Sequence, residues 1–419
     1  MKFRLASAAV AALLVIILAA RFFVFSPSGV EEPSYGPSDA QILKQVGAFP
    51  QDPKPGPATS PTTPPADPLA DPSVATAPPT APSASPAEST RPPPPTAEPS
   101  PSPSAAPTNI RVAIAGDVLL WGGVARQLDN KGHDGVIDPE LAALMSGADL
   151  AFVNLEMPIS EGGIPMDDKQ YTFRGKPGHL SLLSETMGVS AVSLANNHSL
   201  DFGMDAFLDT LEHLSRAGIG YAGAGKDLDE AKEPWVAEVQ GRTVAFLAAS
   251  RVIPVYTWNA TATRPGVLTT YDPANLNKAI TKAKEKYDYV IAYIHWGEEG
   301  SEEPKDYQVT LARGYIDAGA DAVFGTHPHI LQGFEIYKDK PIAYSLGNFI
   351  FTSSRPETCV AVLNITDDDI WVEVVPCTIA SPYTSLVKDP EKVKARLEKL
   401  ARLSRGVRFD EKGRLMKLD

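Results

Sequence analysis

Cysteine is nearly absent from this chain: Cys359 and Cys377 are the only two among 419 residues. That excludes a disulfide scaffold, and their spacing is not that of a metal knuckle. Positive charge is also short, at 38 Lys plus Arg against 51 Asp plus Glu. Residues 109–419 carry 32 positive and 43 negative side chains, a net of −11. Such a unit repels phosphate backbones, and no basic stripe interleaved with aromatics offsets this, so nucleic acid is not an expected partner. Proline is scarce outside one segment: 24 of the 39 fall between Pro27 and Pro107, and the other 15 lie from Pro139 onward. Long uncharged apolar runs are missing everywhere except the amino terminus.

There, Lys2 and Arg4 precede an uncharged run from Leu5 to Ala20, followed by Arg21 and Phe22-Phe23-Val24-Phe25. Sixteen helical residues cover about 24 Å; the Phe/Val cluster extends the span and Arg21 can snorkel to the outer interface. Residues 1–26 are therefore expected to form a signal-anchor, a single-pass helix in the cell membrane. A cleaved signal peptide is the competing reading, since it shares the positive and apolar regions. Either one places residues 27–419 outside the cytoplasm. Residues 27–108, rich in Pro, Ser, Thr and Ala, cannot bury a core and are expected to be a disordered linker with extended polyproline segments. The linker would hold the folded unit, residues 109–419, off the membrane.

From Ile110 onward short apolar runs alternate with helical periodicity, which predicts an α/β fold with strands buried on both faces. The runs are Arg111–Ala115, Leu150–Val153, Ala191–Ala195, Tyr289–Ile294, Ala322–Phe324 and Ile342–Leu346, with amphipathic stretches at 205–217 and 306–318. Each run ends in a polar cluster: Gly116-Asp117, Asn154-Leu155-Glu156, Asn196-Asn197-His198, His295-Trp296-Gly297-Glu298, Gly325-Thr326-His327-Pro328-His329 and Gly347-Asn348. Ligands of open α/β sheets bind outside the carboxyl ends of the strands, so these clusters are expected to meet at one crevice.

The converging donors are carboxylates, amides and four of the seven His, with no thiolate. Imidazole with carboxylate suits Mn, Zn or Fe, and a carboxylate between two ions can support a two-metal site. The expected ligands are Asp117, Glu156, Asn197, His295, His327 and His329, and His198 and Glu298 are candidates for moving protons. Arg174 and Asn348 are candidate substrate contacts. His327-Pro328-His329 is the most specific local signal, because the proline limits the ordering cost of presenting two rings from one loop.

These motifs, together with Asp201, Gly203 and Ser345-Leu346-Gly347-Asn348-Phe349, occur in the order seen in the CapA family of capsule and poly-γ-glutamate biosynthesis proteins, which this chain resembles over roughly residues 109–385. The family's domain is similar to calcineurin-like metallophosphoesterases. The resemblance implies a four-layer α/β/β/α sandwich in which Asp117 is the first-strand aspartate, Glu156 the bridging carboxylate, Asn197 the amide ligand, His295 the isolated histidine, and His327 and His329 the closing pair. The chain departs from the phosphoesterase pattern in three places. Val118 and Leu119 follow Asp117 where Asp-x-His is usual, Glu156 replaces an aspartate, and Thr326 stands where many relatives have His.

Two functions are consistent with this reading. One is a membrane-anchored extracytoplasmic component of capsule or poly-γ-glutamate synthesis or export, with an anionic envelope polymer and other membrane subunits of a polymer synthase as partners. The other is a metal-dependent phosphoesterase or amide hydrolase. The cysteines leave a further choice open. Thr358–Ile365 and Ile370–Val375 read as a hairpin around Asp368, with the thiols either facing each other as a disulfide or buried and free.

Overall fold

The computed structural model describes residues 108–418. The expected membrane anchor and nearly all of the linker lie outside the described residues; among the described ones no helix is long and apolar enough to cross a membrane.

The fold is mixed α/β with several sheets. The larger sheet takes β1 (Asn109–Val118), β2 (Leu150–Leu155), β3 (Ala191–Ser193), β4 (Gly220–Ala222), β13 (Asn348–Ile350), β14 (Glu357–Thr366), β15 (Ile370–Ala380) and β16 (Tyr383–Leu386). Its order is β16-β15-β14-β1-β2-β3-β4, with β13 pairing beside β1. Strands β1 to β4 run parallel, and β14 to β16 form an antiparallel meander against β1. The second sheet takes β6 (Trp235–Val239), β7 (Arg242–Ser250), β9 (Tyr289–His295), β10 (Ala322–Thr326), β11 (Phe334–Tyr337) and β12 (Lys340–Ala343), in the order β11-β12-β10-β9-β7-β6. Two short pairs complete the strands: β5 (Ala224–Gly225) with β8 (Gly266–Val267), and β17 (Val407–Phe409) with β18 (Leu415–Lys417).

Burial along β7 shows how the second sheet is covered. Val244, Phe246 and Ala248 join the large core shared with the first sheet, whereas Ala245, Leu247 and Ala249 join a separate core with Leu276, Ile280, Ala312 and Tyr315. Alternate side chains point to opposite faces, so a strand apolar at every position must be packed on both. The inner face meets the first sheet: the ring of Phe152 on β2 stacks on Phe246 at 3.8 Å, and the Tyr293 hydroxyl of β9 donates to the Ala115 carbonyl of β1 at 2.7 Å. The outer face is covered by the helices Ala274–Lys284 and Asp306–Asp317. On the first sheet's side, the helix Gly203–Arg216 buries Phe207, Leu211 and Leu214. The helix Pro139–Ser146 starts on the N-cap Asp138, whose side chain accepts from Glu140 N at 3.2 Å, and buries Leu141 and Met145.

Two local departures from the expected pattern matter. The run Ile342–Leu346 is not one strand: β12 ends at Ala343, and the chain then crosses to the first sheet, where β13 pairs with β1 in the register Asp117↔Asn348. Gly347–Asn348 is thus a bridge between the sheets. At the hairpin, a two-residue turn at Asp367-Asp368 sets the register Ile365↔Ile370 and hence Thr358↔Cys377. The thiols are offset by one residue from the face-to-face placement that centring on Asp368 implied. Both are buried and free.

Candidate metal centre

The carboxyl ends of β1, β2, β3, β9 and β10 deliver polar residues to a common place. Asp117 closes on β1 through Gly116, where an added Cβ would lie 1.8 Å from the Gly347 carbonyl oxygen. Only glycine allows the crossing chain to come so near. Asp117 N donates to that carbonyl at 3.0 Å, which fixes the carboxylate. Its Oδ1 accepts from Asn154 Nδ2 at 2.9 Å, and its Oδ2 lies 3.4 Å from His329 Nδ1.

Glu156 follows β2 and is 1% exposed. Its Oε1 lies 3.4 Å from His295 Nε2 and 4.0 Å from His329 Nε2, yet neither carboxylate oxygen has a hydrogen bond among the described residues. Two groups of ligand atoms, each within 4.8 Å of one another, form around it: Asp117, Glu156 and His295, and Glu156, His327 and His329. The glutamate is common to both.

Asn197 presents its Oδ1 to His295 Nε2 at 2.8 Å. On the far side of that ring, Nδ1 is 3.2 Å from Thr326 Oγ1 and 3.3 Å from Asn154 Nδ2. Thr326 thus sets the orientation of His295. The paired histidines occupy left-handed backbone, His327 at φ 98° and His329 at φ 58°. For non-glycine residues this costs on the order of 1–3 kcal/mol each and persists where surrounding structure enforces it. Here Asn348 Oδ1 contacts His329 Nδ1 at 2.8 Å, and Arg355 donates to the Pro328 carbonyl at 3.2 Å. The rings of His295 and His327 lie 4.7 Å apart, and those of His327 and His329 5.9 Å apart.

His198 is beside this cluster. Its Nδ1 is 2.7 Å from Asp201 Oδ2, and its ring packs 4.6 Å from Phe173. Asp201 also accepts from Phe173 N at 2.8 Å and from the buried ammonium of Lys169, which reaches the Asn197 carbonyl at 2.5 Å as well. Asn196 ties the strand ends together, donating to Asn154 Oδ1 at 3.1 Å and accepting from His198 N at 3.0 Å.

The electrostatics are those of a buried, donor-rich centre. Burial, reinforced by the Asp117 charge, raises Glu156 well above the usual carboxylate range. Burial and neighbouring imidazoles hold His295 and His327 well below the usual range, and burial with the Lys169 charge lowers His198 to about 4. His329 is likewise penalised by burial, but the Glu156 and Asp117 carboxylates outweigh this and raise it to about 10. Without a cation, His329 thus retains a proton that a metal ligand must give up. Among the described residues, two unsatisfied oxygens on Glu156, an unpartnered Nδ1 on His327 and the neutral imidazoles fit a metal ion.

The sequence-predicted residues Asp117, Glu156, Asn197, His198, His295, His327 and His329 come together. Asn348 reaches the centre as well, with its oxygen on His329 and its nitrogen donating to Ser353 Oγ at 3.0 Å. Two candidates are placed elsewhere. Glu298 has a side chain 61% exposed and pairs with Lys305, because the turn at Gly297 carries it outward; its neighbour Glu299 is the acid whose charge reaches Glu156 and His329. Arg174 donates to the Gly162 carbonyl at 2.6 Å and lies over the Phe202 ring, holding its own loop. Sequence reasoning missed Lys169, which belongs to no motif. The role of Asp201 had a signal, its position three residues after His198.

Comparison with known proteins agrees with the family resemblance. Residues 111–353 match the family described as bacterial capsule synthesis protein PGA_cap. The chain is 32% identical over 308 residues to a capsule biosynthesis protein CapA of Bacillus anthracis, covering 69% of this chain and 73% of that one. It is 31% identical over 251 residues to a PGA biosynthesis protein CapA of Bacillus subtilis, covering 59% and 65%. It is 33% identical over 246 residues to a probable polyglutamine synthesis accessory protein of Mycobacterium tuberculosis, covering 54% and 64%. A match across more than half the chain, carrying every residue of the buried centre, makes this protein a member of the bacterial capsule synthesis family PGA_cap.

Proposed function

We propose that this protein works in capsule or poly-γ-glutamate biosynthesis as an extracytoplasmic component anchored by residues 1–26, and that its buried centre binds a divalent cation and processes an anionic envelope polymer. Family membership supports the capsule and poly-glutamate role. The two facing sheets and the helices on their outer sides support the four-layer α/β/β/α reading. The observation that carries the metal assignment is the sharing of Glu156 between two ligand groups.

Asp117, Glu156, Asn197, His295, His327 and His329 would hold the cation, which when bound supplies positive charge and Lewis acidity toward water and anionic oxygens. Asn154 and Thr326 fix the His295 ring, and Asn348 fixes His329. His198 Nδ1–H donates to Asp201, which leaves Nε2 as the atom that exchanges a proton with substrate or leaving group. Lys169 pairs with Asp201 and holds it in place. A phosphoester or amide bond is the expected target of hydrolysis, and a carboxylate shared between ligand groups favours the phosphoesterase reading as the alternative for the chemistry.

The test uses the full chain and its His295→Ala, His327→Ala double variant. Metal content by elemental analysis, hydrolysis of model phosphoesters and of poly-γ-glutamate, and polymer deposition in cells are compared. The proposal expects metal in the wild type, its loss in the variant, and a matching fall in deposition. Unchanged deposition by the metal-free variant would refute it.

A further inference from the structure

The outer face of the second sheet carries a groove that shares no residue with the buried centre. It lies between the helices Leu228–Lys232 and Ala274–Lys284 and has a volume of about 420 Å³. Its lining includes Lys232, Lys278, Lys282 and Lys286, with Asp229 and Glu233 as the only acids. Lys232 pairs with Asp229 at 2.8 Å and Lys282 with Glu233 at 3.1 Å. Lys278 and Lys286 form no ion pair among the described residues; the Lys286 ammonium lies 4.9 Å from the centroid of the Tyr287 ring.

Four ammonium groups against two carboxylates leave this groove positive on a unit whose net charge is −11. Both acids are solvent-exposed, Asp229 at 92% and Glu233 at 60% of the side chain, so their pairs contribute little and exchange readily for an incoming anion. Lys278 and Lys282 stand one helical turn apart, about 6 Å along the axis at 1.5 Å per residue. No arginine lines the groove, so it offers separate point charges and not the bidentate fork that suits carboxylate and phosphate alike. Flexible point charges at short intervals match a flexible chain of repeated carboxylates.

We propose that this groove is a second binding site, for a polycarboxylate chain, which holds the polymer on the domain independently of the buried centre. The identity of the polymer rests on the proposed function; the site itself rests on the lysines. A weak second contact of this kind raises the effective concentration of chain at the first site.

Binding of fluorescein-labelled poly-γ-glutamate to the full-length protein, read by fluorescence anisotropy at low and at physiological salt, tests this. The comparison is with Lys278→Glu, Lys282→Glu, Lys286→Glu, and with the milder Lys278→Gln, Lys286→Gln, whose exposed positions leave folding intact. The triple variant should bind at least about tenfold more weakly, because like charges now face the ligand, and the double variant should fall between it and the wild type. Raised salt should weaken the wild type most. Equal binding by the triple variant and the wild type overturns the proposal, as does equal affinity for a polyphosphate of the same charge. A failed proposed function is read separately, from the effect of the histidine variant on polymer deposition.

Discussion

Asp201 Oδ2 lies 2.7 Å from His198 Nδ1, and the same carboxylate is held by Lys169 and by the Phe173 amide. A carboxylate so fixed dictates which ring nitrogen carries the proton. Asp201→Asn keeps the shape and removes that control. It should lower turnover about 10- to 100-fold, the usual range for losing such a supporting partner, while metal content stays at the wild-type level. Parallel loss of metal and activity would show that Asp201 serves ligation instead.

Glu156→Gln is expected to abolish stable metal uptake, because both ligand groups lose their common charge. In the chelated state the change removes a buried carboxylate that has no hydrogen bond, so the metal-free variant should melt at or above the temperature of metal-free wild type. Added cation at about 100 times its dissociation constant should stabilise the wild type by about 2.7 kcal/mol and leave the variant unmoved. Equal metal-induced shifts in calorimetry would rule this out.

Acid should weaken the metal-free protein. His198, lowered to about 4, and His295 and His327, held well below their usual range, stay neutral when folded but protonate near 6.5 when unfolded. As pH falls below about 6.5 the unfolded state binds more protons, so stability drops. His329, raised to about 10, contributes stability that is complete below 6.5 and lost as pH rises toward 10, so it adds no slope in the acidic window. Thermal melts of chelated protein at pH 7 and pH 5 should show a lower midpoint at pH 5; a flat profile would count against neutral buried imidazoles.

Metal uptake should release a proton, since His329 must give one up. Titration calorimetry in buffers of different ionisation enthalpy reads this directly. Heats independent of the buffer would contradict it.

Gly116→Ala should be severe, since its methyl would meet the Gly347 carbonyl at 1.8 Å. Overpacking of this kind costs typically 1–3 kcal/mol and here more, because the obstacle is backbone. A soluble variant with wild-type melting would show that the crossing strand can move aside.

The donors were legible because strand-end chemistry is local: each apolar run announces its strand and the polar residues after it. What was not legible depends on paths through space. Glu298 and Glu299 are equivalent in sequence until the turn at Gly297 sends one to solvent and the other toward Glu156 and His329. Lys169 enters from a loop without periodicity. The run Ile342–Leu346 reads as one strand because nothing in its composition marks the change of sheet at Ala343. The cysteine offset turned on a two-residue hairpin turn, a single position in register.

Asp117 and Glu156 come from one sheet, His295 and His327 from the other. An ion held by Asp117, Glu156 and His295 would act as a rivet through the seam where the two sheets meet. Withholding that ion would then loosen both halves together, and abundance of the protein would track the supply of metal.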